Sequence, residues 1–146
     1  MSCVDVRRAY FNAKLEEVTN TYVALPSEDP EHATKCAKLA YHMYGTRGAA
    51  DGWQEEYSSA LICHMGFEQG QSSPCVFVHH ERAIAVSVHG DDFTATGPKS
   101  SLDWYEEQLQ CHYEVTIQPR IGPGPADAKE ATVLNRVVRW TPQGLE

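Results

Sequence analysis

The sequence has no apolar run that approaches the ~20 residues needed to cross a bilayer. Its first residues also lack the basic and apolar regions of a secretory signal peptide. The five cysteines include no Cys-x-x-Cys pair, which argues against both a disulfide framework and a zinc ribbon. These absences predict an intracellular protein, cytoplasmic or nuclear. The 146 residues, 42% of them apolar, are sufficient for one folded domain with a real core.

The sequence also has no surplus of positive charge, because its formal net charge is −8. Proteins that grip a nucleic-acid backbone usually present a basic face, since neutralising phosphates supplies most of the affinity. The basic residues crowd the first third of the chain: Arg7, Arg8, Lys14, Lys35, Lys38 and Arg47. This distribution predicts a local basic track and weak unaided binding of nucleic acid.

The clearest pattern in the sequence is a β-hairpin between residues 75 and 96. Residues 75–79 and 83–88 are apolar, and in the second run Ile84, Val86 and Val88 fall on one face. After a turn at residues 89–92 the chain continues as a strand at 93–96, so two adjacent acids lie at the hairpin tip.

Other segments predict alternating helices and strands. Strands are expected at 3–6, 21–25, 35–39, 113–117 and 132–140, and helices at 9–17, from Trp53 to Gly66, and after an N-cap at Ser100 or Ser101. In the last helix the Glu106-Glu107 pair is expected on a solvated face, and residues 119–125, rich in proline and glycine, are expected to form an exposed loop. The pattern predicts an α+β fold, with helices on one face of a largely antiparallel sheet.

The acids Asp91 and Asp92 allow two interpretations. Adjacent carboxylates repel each other, so they require either a cation or full solvation. A solvated turn is the ordinary explanation of an isolated pair. If Asp5, at the end of the first strand, lay beside them, the three acids would form an oxygen-only site suited to Mg²⁺. Periodicity alone does not place Asp5 there.

Four blocks of the sequence resemble, in order and at similar spacing, motifs of the reverse transcriptases of copia-type LTR retrotransposons. The pattern D-V-K-x-A-F-L-N is similar to residues 5–12, which read Asp-Val-Arg-Arg-Ala-Tyr-Phe-Asn. The pattern K-L-x-x-x-L-Y-G-L-K-Q-A-P-R-x-W resembles residues 38–53, and G-F-x-x-S-x-x-D-P-C-V-F resembles residues 66–77. Residues 88–93, Val-His-Gly-Asp-Asp-Phe, stand where the family has Y-V-D-D.

The resemblance implies a polymerase palm with part of the fingers, forming a single domain over residues 1–146. It implies a truncated chain without thumb, RNase H, integrase or protease. The implied activity is RNA-directed DNA polymerisation by two-metal nucleotidyl transfer, with two Mg²⁺ ions, or Mn²⁺, as cofactors. The implied partners are an RNA or DNA template-primer and a deoxynucleoside triphosphate (dNTP).

Specific roles follow from the resemblance for residues in the first and last blocks. Asp5, Asp91 and Asp92 are the implied catalytic and metal-binding acids, and the Val6 carbonyl is an implied fourth metal ligand. The backbone amides of Arg8 and Ala9 are implied to lie near the triphosphate. Tyr10 is implied to be the gate that rejects a 2′-hydroxyl, whereas an aromatic residue after a strand is otherwise expected in the core.

Departures from the family pattern support a second function. The family's Q-A-P-R is replaced by residues 48–51, so that Asp51 stands where an arginine is usual. With the acidic net charge, this favours a catalytically inactive palm that acts as a structural or interaction subunit with a protein partner. A metal-dependent nuclease is a third possibility, supported by the acids alone.

His89, Arg7 and Arg8 each allow two interpretations. His89 stands where the family has tyrosine, and Gly90 replaces the usual hydrophobic residue. His89 is either a solvated turn residue or a contact to a primer end or phosphate. Arg7 and Arg8 either bind phosphate or face solvent.

Overall fold

The structure is a computed structural model that describes residues 1–16 and 18–146. Its elements in chain order are β1 (Ser2–Val6), a 3₁₀ helix (Ala9–Asn12), β2 (Tyr22–Ala24), β3 (Cys36–Lys38), α1 (Ala49–Ser59), a π-helix (Ala60–His64), β4 (Glu68–Gln69), β5 (Val76–His79), β6 (Ile84–His89), β7 (Asp92–Thr96), α2 (Lys99–His112), β8 (Val115–Ile117), β9 (Glu130–Val133), β10 (Arg136–Thr141) and β11 (Gly144–Leu145). The α+β fold class predicted from the sequence is confirmed.

The chain divides into two compact units. One comprises Met1–Arg7 together with Ser59–Glu146, and the other comprises Arg8–Ser58. Within the described residues, no helix is both long and apolar enough to cross a membrane. The expectation of one palm domain over residues 1–146 stays a prediction.

The first unit is built on a six-stranded antiparallel sheet. Its strand order is β4-β5-β6-β7-β1-β8, so β1 lies between the hairpin strand β7 and the later strand β8. In β6 the apolar residues alternate with exposed ones, which leaves one face of the strand buried and the other open. The same unit carries a smaller sheet in the order β11-β10-β9.

Helix α2 lies against the buried face of the large sheet. Its residues Leu102, Tyr105 and Leu109 are no more than 2% exposed. The Ser2 hydroxyl of β1 donates a 2.6 Å hydrogen bond to the Glu106 carboxylate of α2, and this bond holds the strand to the helix. On the opposite, open face of the sheet, His89 of β6 is exposed and Asp5 and Asp92 are half-buried, whereas Cys3 of β1 is buried.

The second unit has a two-stranded sheet of β2 and β3, with a β-bridge between Lys14 and Tyr41. The ring of Tyr10, in the 3₁₀ helix, packs against that of Tyr44 at a centroid distance of 4.3 Å. His42 lies so close to Gly52 of α1 that a Cβ atom at Gly52 would overlap its imidazole ring.

Several local predictions were wrong. The helix expected at 9–17 ends at Asn12, and residue 17 lies outside the described residues. The strand expected at 132–140 is a hairpin, because Leu134 and Asn135 adopt positive φ and reverse the chain. Helix α2 begins at Lys99 with Pro98 as its N-cap, so neither Ser100 nor Ser101 is the cap.

Two residues are less exposed than the sequence predicts. Ile121, in the loop at 119–125, is only 1% exposed. The Glu106 side chain is 15% exposed and receives two hydrogen bonds, both 2.8 Å or shorter, from the guanidinium group of Arg120. The expectation that Glu106 faces solvent was therefore wrong, whereas Glu107 is exposed. Glu106 needs this partner because a half-buried carboxylate is costly without a compensating charge.

Candidate functional site

Three polar residues form a row across the open face of the large sheet. Asp5 of β1 is the direct register partner of Asp92 of β7, and Asp92 is in turn the register partner of His89 of β6. Side chains of directly opposed residues project from the same face of an antiparallel pair. The row His89, Asp92, Asp5 is therefore set by the backbone register. On the other side of Asp5, the row continues to Thr116 of β8.

The turn between β6 and β7 places the second acid. His89 and Asp92 close a two-residue loop made of Gly90 and Asp91. Gly90 has φ +64°, while Asp91 has no positive φ, and a positive φ at the first central position alone is the type II′ arrangement. Tight turns of this kind match the twist of the flanking strands. The local sequence thus holds Asp91 at the tip, next to the row.

Val6 fixes the hairpin tip to the end of β1. Its N–H donates a 2.9 Å hydrogen bond to the carbonyl oxygen of Asp91. The next amide, that of Arg7, donates a 2.8 Å bond to the Glu114 carbonyl on the β8 side. Because the peptide between Val6 and Arg7 is trans, the Val6 carbonyl points away from β8 and toward the hairpin tip.

The electrostatics of the row centre on Asp5. Partial burial raises the pKa of the Asp5 carboxyl above its usual value, and the nearby charges of Asp91 and Asp92 raise it further, while Arg7 opposes them. The carboxylates of Asp91 and Asp92 therefore lie near enough to repel that of Asp5. A cation between them would relieve that repulsion.

The donor set fits a divalent ion in its chemistry. Carboxylates and a backbone carbonyl are the oxygen ligands that Mg²⁺ prefers. Within residues 1–16 and 18–146, however, no three His, Cys, Asp or Glu side chains already converge in the geometry of a metal-binding group. The strand register brings the side chains into one row, and binding an ion would require them to turn toward it.

The predicted basic and nucleotide-binding residues are placed as follows. Arg7 binds two side chains at the start of β8: its Nη1 is 2.9 Å from a carboxylate oxygen of Glu114, directly before the strand, and its Nε donates to the Thr116 hydroxyl within it. Arg8 has φ 54° and ψ 40°, a left-handed conformation, directly before the 3₁₀ helix that contains Ala9 and Tyr10. Ala9 is buried and Tyr10 is half-buried. Arg8, Ala9 and Tyr10 belong to the second unit.

Residues 1–120 of the chain match the family described as Reverse transcriptase (RNA-dependent DNA polymerase). The matched segment contains β1, the hairpin of β6 and β7, and α2. The chain belongs to this reverse transcriptase family. No curated protein matches the chain. The family match confirms the resemblance to copia-type reverse transcriptases that the four motifs predict. Reverse transcriptases extend a primer on a nucleic-acid template with dNTPs, and the family generally uses divalent metal ions.

Two features of this candidate site were not predicted from the sequence. One is the position of His89 in line with the acids, which follows from the two-residue turn and became visible only with the register. The other is a hairpin beside the acids: Thr132, Val133 and Leu134 line a small cleft together with Cys3, Asp92 and Thr94. The sequence signal for that hairpin was weak, because only Asn135 is a residue that commonly takes positive φ, and Leu134 is not.

Proposed function

We propose that this chain carries the catalytic centre of an RNA-directed DNA polymerase, with Asp5, Asp91 and Asp92 as its metal-binding acids. The observation that supports this most directly is the pairing of Asp5 with Asp92 across β1 and β7. Two acids more than 80 residues apart in the sequence are register partners, and the second is adjacent to Asp91. A solvated turn would not require a third acid on the neighbouring strand.

Each residue has a defined part in the proposed chemistry. Asp5 and Asp92 would hold the ions from adjacent strands, Asp91 would hold them from the turn, and the Val6 carbonyl would supply a further oxygen. Two divalent ions, when bound, would activate the primer 3′-hydroxyl and stabilise the charge that develops on the transferred phosphate and the leaving pyrophosphate. The hydrogen bond from Val6 to Asp91 keeps the turn acid aligned with β1.

The nucleotide-binding part of the proposal rests on the family motif at residues 5–12. The backbone amides of Arg8 and Ala9 would contact the triphosphate, and Tyr10 would contact the sugar. The left-handed conformation of Arg8 supports a specialised turn here, because non-glycine residues adopt it at a cost and it often occurs at functional sites. The proposal includes a template-primer and dNTP as partners, and an intracellular site of action, where dNTPs are available.

A primer-extension assay tests this proposal directly. The full chain is incubated with a primed RNA template, dNTPs and Mg²⁺ or Mn²⁺. We expect extension by the wild type and a loss of at least about 100-fold in Asp5→Asn and Asp92→Asn, as is found when a group that stabilises transition-state charge is removed. Glu107→Gln, which removes an exposed acid of α2, is the matched control and should extend like the wild type.

A second function, a palm that survives as an interaction subunit without turnover, is favoured by two observations. The net charge is −8, and Asp51 stands where the family has arginine. The same assay separates the two functions. A folded wild type that binds divalent ions and extends no primer supports the interaction subunit and contradicts the polymerase.

A further inference from the structure

His89 is in line with the proposed metal-binding acids. It is the last residue of β6 and the register partner of Asp92, which in turn pairs with Asp5. Along β6 the buried residues are Ile84, Val86 and Val88, so the His89 side chain is on the open face and is exposed. Asp92 and Asp5 project from that same face.

The spacing of this row suits a shared ion. Opposed residues of an antiparallel pair have Cβ atoms about 4.5–5.5 Å apart. Carboxylate oxygens and imidazole nitrogens bind small divalent ions at about 2.0–2.2 Å. An ion above Asp92 would have the His89 imidazole on one side and the Asp5 carboxylate on the other, and the three side chains would have to turn toward it.

We propose that His89 contributes an imidazole nitrogen to the divalent ion held at Asp92, and that this ligand makes the site prefer a first-row transition ion over Mg²⁺. The proposal rests on the function proposed above and deepens it by naming the metal preference of this chain. Mg²⁺ is a hard cation that takes oxygen ligands, whereas first-row transition ions accept imidazole as well as carboxylate. The family has tyrosine at this position, so the preference belongs to this sequence.

Gly90 assists the arrangement. Its φ of +64° closes the turn in two residues, and this makes His89 the direct partner of Asp92. A longer loop would break that pairing. The histidine thus reaches the acid row because the turn is tight.

The direct test uses Mn²⁺ as the probe and detects nitrogen bound to it. Electron spin-echo modulation of Mn²⁺ added to the full chain reports ¹⁴N coupling only when a nitrogen is coordinated. We expect ¹⁴N modulation in the wild type, its loss in His89→Phe, and its retention in His80→Phe. His80 is an exposed histidine at the opposite end of β6, in the turn before it, and serves as the matched control.

The second measurement is selectivity. The binding of Mn²⁺ is measured from the decrease in the electron paramagnetic resonance signal of the free ion. Mg²⁺ is then added as a competitor. Mutating residues that only hydrogen-bond to metal ligands changes metal affinity about 10–100-fold. Loss of a direct ligand in His89→Phe should therefore lower the preference for Mn²⁺ over Mg²⁺ at least about tenfold. His80→Phe should leave the preference unchanged.

Asp5→Asn distinguishes failure of this inference from failure of the proposed function. If Mn²⁺ binding depends on Asp5 but shows no ¹⁴N modulation, or shows modulation that persists in His89→Phe, the acids bind metal and the role of His89 is overturned. If the wild type binds no Mn²⁺, or binds it equally well as Asp5→Asn, the acid site and the inference both fail.

Discussion

Asp5 and Asp92 face each other across two adjacent antiparallel strands, and the Asp5 carboxyl carries a raised pKa. Burial is the largest cause of this rise, followed by the charges of Asp91 and Asp92. In the absence of a cation, the ionised Asp5 therefore destabilises the folded chain. The arrangement of the three acids therefore lowers the stability of the folded chain, as is common at functional sites.

The pH dependence of stability follows from this shift. Because the folded state holds the Asp5 proton more tightly than the unfolded state, the free energy of unfolding falls as pH rises from the ordinary value of 3.8 through the raised folded value. Asp5→Asn lacks this fall. Without metal, we expect the variant to be more stable than the wild type above that pH range, by at most about 1 kcal/mol because solvent screens the group, and equally stable below it.

Urea unfolding in the presence of a chelator, from pH 3 to pH 7, measures this difference. Glu107→Gln, at an exposed acid, is the control and should show no such trend. A difference between Asp5→Asn and the wild type that stays constant over the whole range would contradict the electrostatic account of the row.

Arg120 is predicted to be a major source of stability in the first unit. Its side chain is 18% exposed and binds both Glu106 and Asp103. Arg120→Met would leave Glu106 half-buried without its partner, and removing one member of such a pair costs about 3–5 kcal/mol. Arg7→Met removes an exposed ion pair and should cost no more than about 1 kcal/mol. Equal losses in the two variants, measured by urea unfolding, would disprove the ranking.

Glycine is predicted to be required at position 90 because of the backbone conformation that this residue adopts. Among the described residues, nothing lies within 4 Å of a Cβ atom built at this position, so side-chain space is not the constraint. Its φ of +64° is the constraint, and Gly90→Val, which introduces the family's hydrophobic residue, should cost about 1–2 kcal/mol. Thermal unfolding of this variant tests the prediction, and a valine variant as stable as the wild type would contradict it.

Tyr10 is predicted to select the sugar. If its ring fills the space beside C2′, Tyr10→Ala should raise the use of ribonucleotides relative to deoxyribonucleotides, whereas Tyr10→Phe should keep the discrimination. The measured quantity is the ratio of kcat/KM for the two nucleotides. A core role predicts something else: an unchanged ratio in a chain destabilised by several kcal/mol, through loss of the contact with Tyr44.

The sequence predicted the strands around the acids well, because their patterns are local. Apolar alternation identified β6 as a strand with Ile84, Val86 and Val88 on one face, and two apolar runs separated by a short polar turn identified the hairpin. The turn between β9 and β10 was missed because it has no glycine or proline and is formed by Leu134 and Asn135. Asn135 tolerates a positive φ, but Leu134 adopts one against its preference.

The site was predictable only in part, since its parts are distant in sequence. Asp91 and Asp92 were recognisable from the hairpin, whereas Asp5 entered through a family motif, because periodicity carries no information on which strands become neighbours. The ion pair between Glu106 and Arg120 was missed for the same reason: a glutamate on a helix looks solvated until its partner is known. The alignment of His89 with the acids depended on the exact length of one turn.

The central claim is that Asp5, Asp91 and Asp92 form one divalent-ion site, and the most direct test is paramagnetic broadening of amide resonances by substoichiometric Mn²⁺. We predict that the signals of Val6, Asp91 and Asp92 broaden first in the wild type and that those of β4, at the far edge of the sheet, stay sharp. An excess of Mg²⁺ should restore the broadened signals. In Asp5→Asn the selective broadening should disappear. Broadening centred elsewhere in the chain, or the same broadening in Asp5→Asn as in the wild type, would contradict the account.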